Sequence, residues 1–464
     1  MSTRYLQFAG LILSFGLSLA APVSSQTTAG AGPSTTPARE VSTKADERPA
    51  QELYEDANGY LGRKFAEFNK QKLAYDSKLE AKTKQEQKEL ALANAAILAR
   101  RRDLSEDDQY YLGMLQHLVG DSEATLKVMR RYLAKNSNGE KSQIARAVVV
   151  LHATRTNLLA EAETTVAAYR KVEPIDFNEL FGMEALLTEA FKKANDYARM
   201  ETHARGMLEV ARSEKAANKV GTFKRDERLF KATSQLADAL VKRDRSDEAR
   251  ATFRDLVKLS IALPSGNLYK IARMQLANLD PDADLLTLVS DKSLKTGIPP
   301  EIVAAQWIDQ QPVTLEALRG QVVLLDFWAH WCGPCRYVFP KLQRWHESYK
   351  DKGLVILGLT TYFGHANGRP VTTSEELDYL RDFKKRNRLP YGFVVSDTSK
   401  NDVNYGVSSI PMSFLIDRNG NVRFIAVGAN EQEITALGKK IKELIEEPAA
   451  PSAAATPVSN GQKQ

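Results

Sequence analysis

The chain has few of the residues from which a disulfide scaffold is built: 464 residues hold only two cysteines, Cys332 and Cys335. Two sulfurs separated by two residues close a loop too short to restrain the unfolded chain much, which excludes a stapled framework and points to chemistry instead. An excess of one charge is slight: the 64 Lys and Arg are interspersed with 58 Asp and Glu along most of the chain, leaving a net charge of +6, and a nucleic-acid partner, which needs basic residues clustered on one face, is not expected. Beyond residue 21 no stretch approaches the ~18 uninterrupted apolar residues of a membrane span. There are six histidines, and His117, His152 and His203 lack metal-ligand spacing, so they are expected to be surface or satisfied core residues. One Cys-x-x-Cys offers two ligands with no second pair to complete a site. Neither a metal nor another cofactor is expected.

What is present begins with an export pattern. Arg4 precedes the apolar run Leu6 to Ala21, and small residues follow to Ser25, the order of a secretory signal over 1–25. The alternative is an uncleaved anchor, although about 16 residues rise only about 24 Å in a helix against a hydrocarbon core of about 30 Å. Membrane association is expected only in that case. Residues 26–50 and 448–464, rich in Ala, Ser, Thr, Gly and Pro, lack hydrophobic periodicity and read as a tether and a tail.

The length exceeds one hydrophobic core, and the texture divides accordingly. Over 51–290 apolar residues recur at three- and four-residue spacing, which predicts helices. Leu53 to Arg102 forms one long helix or a hairpin. Breaks are expected at Gly120-Asp121, Asn136 to Gly139, Glu173-Pro174, Asn195-Asp196 and Asp244 to Asp247. The 34-residue window Asp107 to Glu140, with Leu112-Gly113 in its first helix, resembles a tetratricopeptide unit. The stretch is therefore expected to be a degenerate, TPR-like helical repeat that binds a peptide or protein, or a helical bundle that spaces the next domain.

From 297 to 447 the pattern is α/β. Val322 to Trp328 and Leu354 to Leu359 are apolar runs suited to buried parallel strands, and Met412 to Ile425 reads as strand, turn, strand. Helices are expected at Pro340 to Lys350, Ser374 to Arg386 and Gln432 to Glu446.

Cys332 follows the first of those strands at the expected start of a helix, where N–H groups and the helix dipole favour a thiolate. Cys335 falls on the first turn, on the same face and at disulfide distance. That geometry makes Cys332 the attacking sulfur and Cys335 the resolving one. Asp326, six residues before Cys332, lies inside the apolar strand, where burial should raise its pKa.

The string Val323-Leu324-Leu325-Asp326-Phe327-Trp328-Ala329-His330-Trp331-Cys332-Gly333-Pro334-Cys335 resembles the active-site segment of thioredoxins. With Pro312 to Gly320 upstream and an insertion ahead of Ile410-Pro411, the last third is similar to the exported TlpA/ResA branch. The resemblance implies a multidomain chain, an all-α region followed by a thioredoxin-like α/β domain, acting outside the cytoplasm, such as in a periplasm. It implies an enzyme that exchanges thiols and disulfides, with disulfide-containing client proteins and an upstream thiol reductant as partners. By the same likeness Asp326 exchanges protons with Cys335, Pro411 is a cis-proline against the dithiol, and the Ile410 backbone pairs with the client. Trp331, Gly333 and Pro334 then border the client, Trp331 as exposed rim, while Trp328 is core and His330 faces solvent. Gly333-Pro334 favours reduction. An oxidase or isomerase, or a scaffold that uses the module for docking, are the other readings. Peroxide reduction fits poorly, because a Pro-x-x-x-Thr-x-x-Cys setting is absent.

Overall fold

The computed structural model describes residues 47–213, 221–283 and 297–448. The expected export signal over 1–25, almost all of the tether and the tail lie outside the described residues. The chain divides into two compact units, Met1–Val210 and Ala211–Gln464.

The first unit is helical: α1 (Ala50–Lys70), α2 (Ser77–Ala99), α3 (Glu106–Val119), α4 (Ser122–Lys135), α5 (Glu140–Arg155), α6 (Leu159–Tyr169), α7 (Phe177–Lys193) and α8 (Tyr197–Arg212). Leu53 to Arg102 is thus a hairpin and not one helix, turning where Asp76 caps α2 by accepting from the Lys78 amide. Successive helices pack on each other, and α1 also meets α3 as α5 meets α7, the contact pattern of stacked helix pairs. The Gly120-Asp121 turn follows from local chemistry. Gly120 ends α3 at φ 86°, a left-handed conformation that suits glycine, and Asp121 caps α4 through the Ala124 amide. Across that turn Gly113 sits against Met129, leaving no room for a Cβ, so the two helices approach closely. The histidines are core residues with partners: His117 Nδ1 lies 2.8 Å from His152 Nε2, and His203 Nδ1 lies 2.7 Å from Glu184.

The second unit joins three helices to a sheet. These helices, α9 (Thr222–Val241), α10 (Ser246–Ala262) and α11 (Gly266–Leu279), were expected to share a domain with the preceding helices, yet they cluster with the α/β region. Packing explains the shift, because α10 and α11 lie against β8 (Val422–Val427), and a Cβ on Gly266 would run into Met412. The six-stranded sheet has the order β1-β6-β3-β2-β7-β8. Its further strands are β1 (Gln306–Ile308), β2 (Val322–Phe327), β3 (Leu354–Thr361), β6 (Gly392–Ser396) and β7 (Met412–Ile416); β4 (His365–Ala366) and β5 (Arg369–Pro370) form a separate pair. β2 is central, parallel to β3 and antiparallel to β7, and all six of its residues are buried. The remaining helices are α12 (Gly333–Tyr349), α13 (Thr373–Arg386), α14 (Lys400–Tyr405) and α15 (Glu431–Glu446). Among the described residues no helix is long and apolar enough to cross a membrane.

Candidate active site

The central strand delivers the site. β2 ends at Phe327, paired with Leu359 of β3 on one side and Met412 of β7 on the other. The segment leaving β2 therefore emerges beside the segment entering β7, which places the run to Cys332 next to Ile410-Pro411. The Ile410-Pro411 peptide is cis, and the Pro411 carbonyl accepts from the Gly428 amide.

Cys332 is the N-cap of α12, in extended conformation, and its sulfur accepts the Cys335 amide at 3.1 Å. Gly333 and Pro334 open the helix, where a missing proline N–H leaves no helical bond unmade. The two sulfurs are joined in a disulfide. Their exposure differs: Cys332 keeps 4% of its surface and Cys335 none, while Trp331 beside them is 52% exposed. An attacking reagent meets Cys332 first. The helix N-terminus also supplies the field that stabilises a thiolate there.

Asp326 is 1% exposed and paired in register with Gly358 and Ser413. Burial pushes its carboxyl up to about 7, against the opposing effect of the Ser413 hydroxyl bonded to it. A buried acid titrating near neutrality can take and return a proton at working pH.

The aromatic surroundings are divided as the sequence suggested for Trp328, which is core against Phe339, Phe383 and Phe393. His330 departs from expectation. It is 3% exposed and not solvent-facing, with its ring among those of Phe363, His365 and Tyr379. The cause is the insertion after β3, whose loop and helix α13 cover it. Burial lowers the His330 pKa.

Sequence reasoning missed Glu376. This residue is fully buried on α13, accepts the Phe363 and Gly364 amides at 2.8 Å each, and lies 3.7 Å from His330 Nε2. It ties the 362–368 loop down behind Trp331, which packs edge-on against Phe363. Its neighbour Glu375 forms a capping box with Thr372, a local pattern that a sequence reveals, whereas nothing local marks Glu376 as buried. Among the described residues no group of three His, Cys, Asp or Glu side chains gathers as a metal site.

The family model described as AhpC/TSA family matches residues 300–425. Over 128 residues the chain is 30% identical to the protein DipZ of Mycobacterium bovis, covering 27% of this chain and 17% of that protein. Over 127 residues it is 28% identical to the thiol-disulfide oxidoreductase ResA of Bacillus anthracis, covering 27% of this chain and 66% of that one. A solved thiol:disulfide interchange protein of the thioredoxin family from Chlorobium tepidum is 21% identical, with a TM-score of 0.26, over 32% of this chain and 97% of that one. The chain thus spans less than two thirds of the length of either curated relative, and both alignments leave most of this chain unmatched.

Proposed function

We propose that this chain, whose C-terminal region is a TlpA/ResA-like thioredoxin-fold domain, is an extracytoplasmic thiol–disulfide oxidoreductase that reduces protein disulfides. The observation that carries the proposal is the arrangement around Cys332. It caps a helix, holds the Cys335 amide on its sulfur, and follows a strand that buries Asp326.

In the reduced protein the Cys332 thiolate attacks a client disulfide. A mixed disulfide forms, and one client sulfur leaves as a thiolate that takes a proton. Asp326 then accepts the proton of the Cys335 thiol, and the resulting thiolate attacks the Cys332 sulfur. The second client thiolate leaves. Two electrons have passed to the client, and the Cys332–Cys335 disulfide has formed, to be reduced again by an upstream thiol donor. Ile410 pairs with the client backbone, Pro411 holds that loop, and Trp331, Gly333 and Pro334 form the contact rim. The N-terminal helices select or position the client. The export pattern over 1–25 supports work outside the cytoplasm.

Gly333-Pro334 accompanies reducing potentials, near the thioredoxin value of about −270 mV, whereas a strong oxidant lies near about −120 mV. Equilibration with glutathione or dithiothreitol therefore decides direction, and a value close to the second figure makes the protein an oxidase. For the chemistry itself, the reduced full chain is mixed with a disulfide client. Cys335→Ser should accumulate a mixed disulfide and Cys332→Ser should be inert. Full turnover by Cys332→Ser would end the proposal.

A further inference from the structure

A cavity of about 300 Å³ opens at the carboxyl ends of β2, β3 and β6, lined by Phe327, Leu359, Phe363, Ser396, Asp402 and Ile410 among others. Two of these residues tie it to the redox site. Ile410 precedes the cis-proline, and Phe363 packs against Trp331 with ring centroids 5.4 Å apart.

Strand register shows which side chains face the cavity. Phe327 pairs with Leu359, and Thr361 with Ser396, so the two-residue alternation puts all four on one face of the sheet. Helix α14, which carries Asp402, lies on that face, since Tyr405 packs against Phe327 at 5.4 Å. Ser396 therefore lies on the cavity side of the sheet, but its hydroxyl is buried beneath the cavity wall and offers no hydrogen bond to an occupant. Asp402 lines the same space, partly buried, and no lysine or arginine among the described residues pairs with it. Burial raises its pKa, as expected of a carboxyl without a cation.

An apolar wall and a carboxyl that no lysine or arginine among the described residues pairs with together suit a side chain with a methylene stem and a cationic tip. The size agrees, because drug-sized ligands occupy cavities of about 300–1,000 Å³ and a single long side chain needs the lower end. We propose that this cavity is a client subsite that takes a lysine or arginine side chain flanking the client's disulfide. The proposal rests on the thiol–disulfide reading and deepens it by naming the client's chemistry. Selection of this kind is short-ranged, since the chain's own net charge of +6 does not attract basic clients.

The test uses the reduced full chain and two model peptides with one disulfide each, alike except that the residues flanking the cysteines are lysine in one and norleucine in the other. The lysine peptide should be reduced about tenfold faster in kcat/KM, the size one charge-assisted hydrogen bond supplies. In Asp402→Asn the ratio should fall to within about twofold. Because the variant is read as a ratio between two substrates, a partly unfolded fraction cancels. Equal rates with the wild type, a faster norleucine peptide, or a full preference in Asp402→Asn would each overturn the subsite. Hydroxyethyl disulfide, which has no side chain to place, serves as the control. If the wild type fails on it, the thiol–disulfide reading fails, and if it succeeds while the preference is absent, only the subsite does.

Discussion

The Ser413 hydroxyl donates a 2.8 Å hydrogen bond to Oδ1 of Asp326 across the β2–β7 pair. Among the described residues it is the one interaction that opposes the burial of that carboxyl, and burial prevails, with the acid raised from 3.8 to about 7. The consequence for stability has a definite sign. Below pH 4 the carboxyl is neutral in both folded and unfolded chains and costs nothing. Between pH 4 and 7 the unfolded chain releases a proton that the folded one retains, so stability falls, and above pH 7 the penalty is complete. Asp326→Asn should therefore stabilise the C-terminal unit by on the order of a few kcal/mol at pH 8 and hardly at all at pH 4. Denaturant melts at the two pH values check this. The same variant should slow the resolving step by about 10²-fold or more if proton exchange runs through Asp326.

Removing the opposing interaction moves the acid further. Ser413→Ala takes away the hydrogen bond that favours the charged carboxylate, so the inflection of the pH–rate profile should shift upward, by about one unit for a bond worth about 1.5 kcal/mol. An unshifted inflection would mean that a group other than Asp326 sets the profile.

Glu376 holds the 362–368 loop by two backbone amides from a fully buried position. Glu376→Gln keeps the shape but exchanges one acceptor oxygen for a donor that faces an amide. Thermal melting should show a loss of about 2–4 kcal/mol. The Trp331 fluorescence should change as well, because Phe363, which packs on that ring, is anchored through the same carboxylate.

In the N-terminal unit the close approach of α3 and α4 is set by Gly113. A methyl group there would lie 2.8 Å from Met129 Cε and Sδ, and Met129 is fully buried. Gly113→Ala should destabilise that unit by about 1–3 kcal/mol, partly relieved by the flexible methionine. The potential of the Cys332–Cys335 pair should stay where it is, which a redox titration can verify alongside the melt.

The parts of this fold that were legible are those that local pattern dictates. Val322 to Phe327 is apolar apart from Asp326 because the strand is buried on both faces, and Gly120-Asp121 marks a helix turn through its own φ angle and cap. Cys332 at the head of a helix was legible from the strand that precedes it. β6 was not, since Phe393 to Ser396 is a short apolar run inside what reads as one long insertion, and three-residue β1 carries almost no periodicity. α12 begins at Gly333, seven residues earlier than Pro340, because a proline read as a helix start lies inside the helix. His330 and Glu376 are polar residues whose burial depends on α13 folding over them, a tertiary fact. For the same reason periodicity identified α9 to α11 as helices but not the sheet they pack against.

That packing reaches the loop that leads into the cis-proline. At the head of α11 the Asn267 amide donates to the Gly406 carbonyl, Asn267 Oδ1 accepts from the Ser408 hydroxyl at 2.8 Å, and Lys270 Nζ donates to Ser409 at 3.0 Å. Residues 406–409 run directly into Ile410-Pro411, so a helix outside the thioredoxin-like sheet fixes the approach to the cis-proline. If Ile410 aligns the client backbone, loosening this clamp should weaken client alignment and leave the sulfur chemistry alone. Asn267→Ala with Lys270→Met removes two side-chain bonds worth about 1 kcal/mol each, so KM for a protein client should rise by about five- to thirtyfold. The kcat should change far less, and the equilibrium potential of the dithiol should not move. A fall in kcat at constant KM would instead mean that the clamp acts on the reacting sulfurs and not on the client.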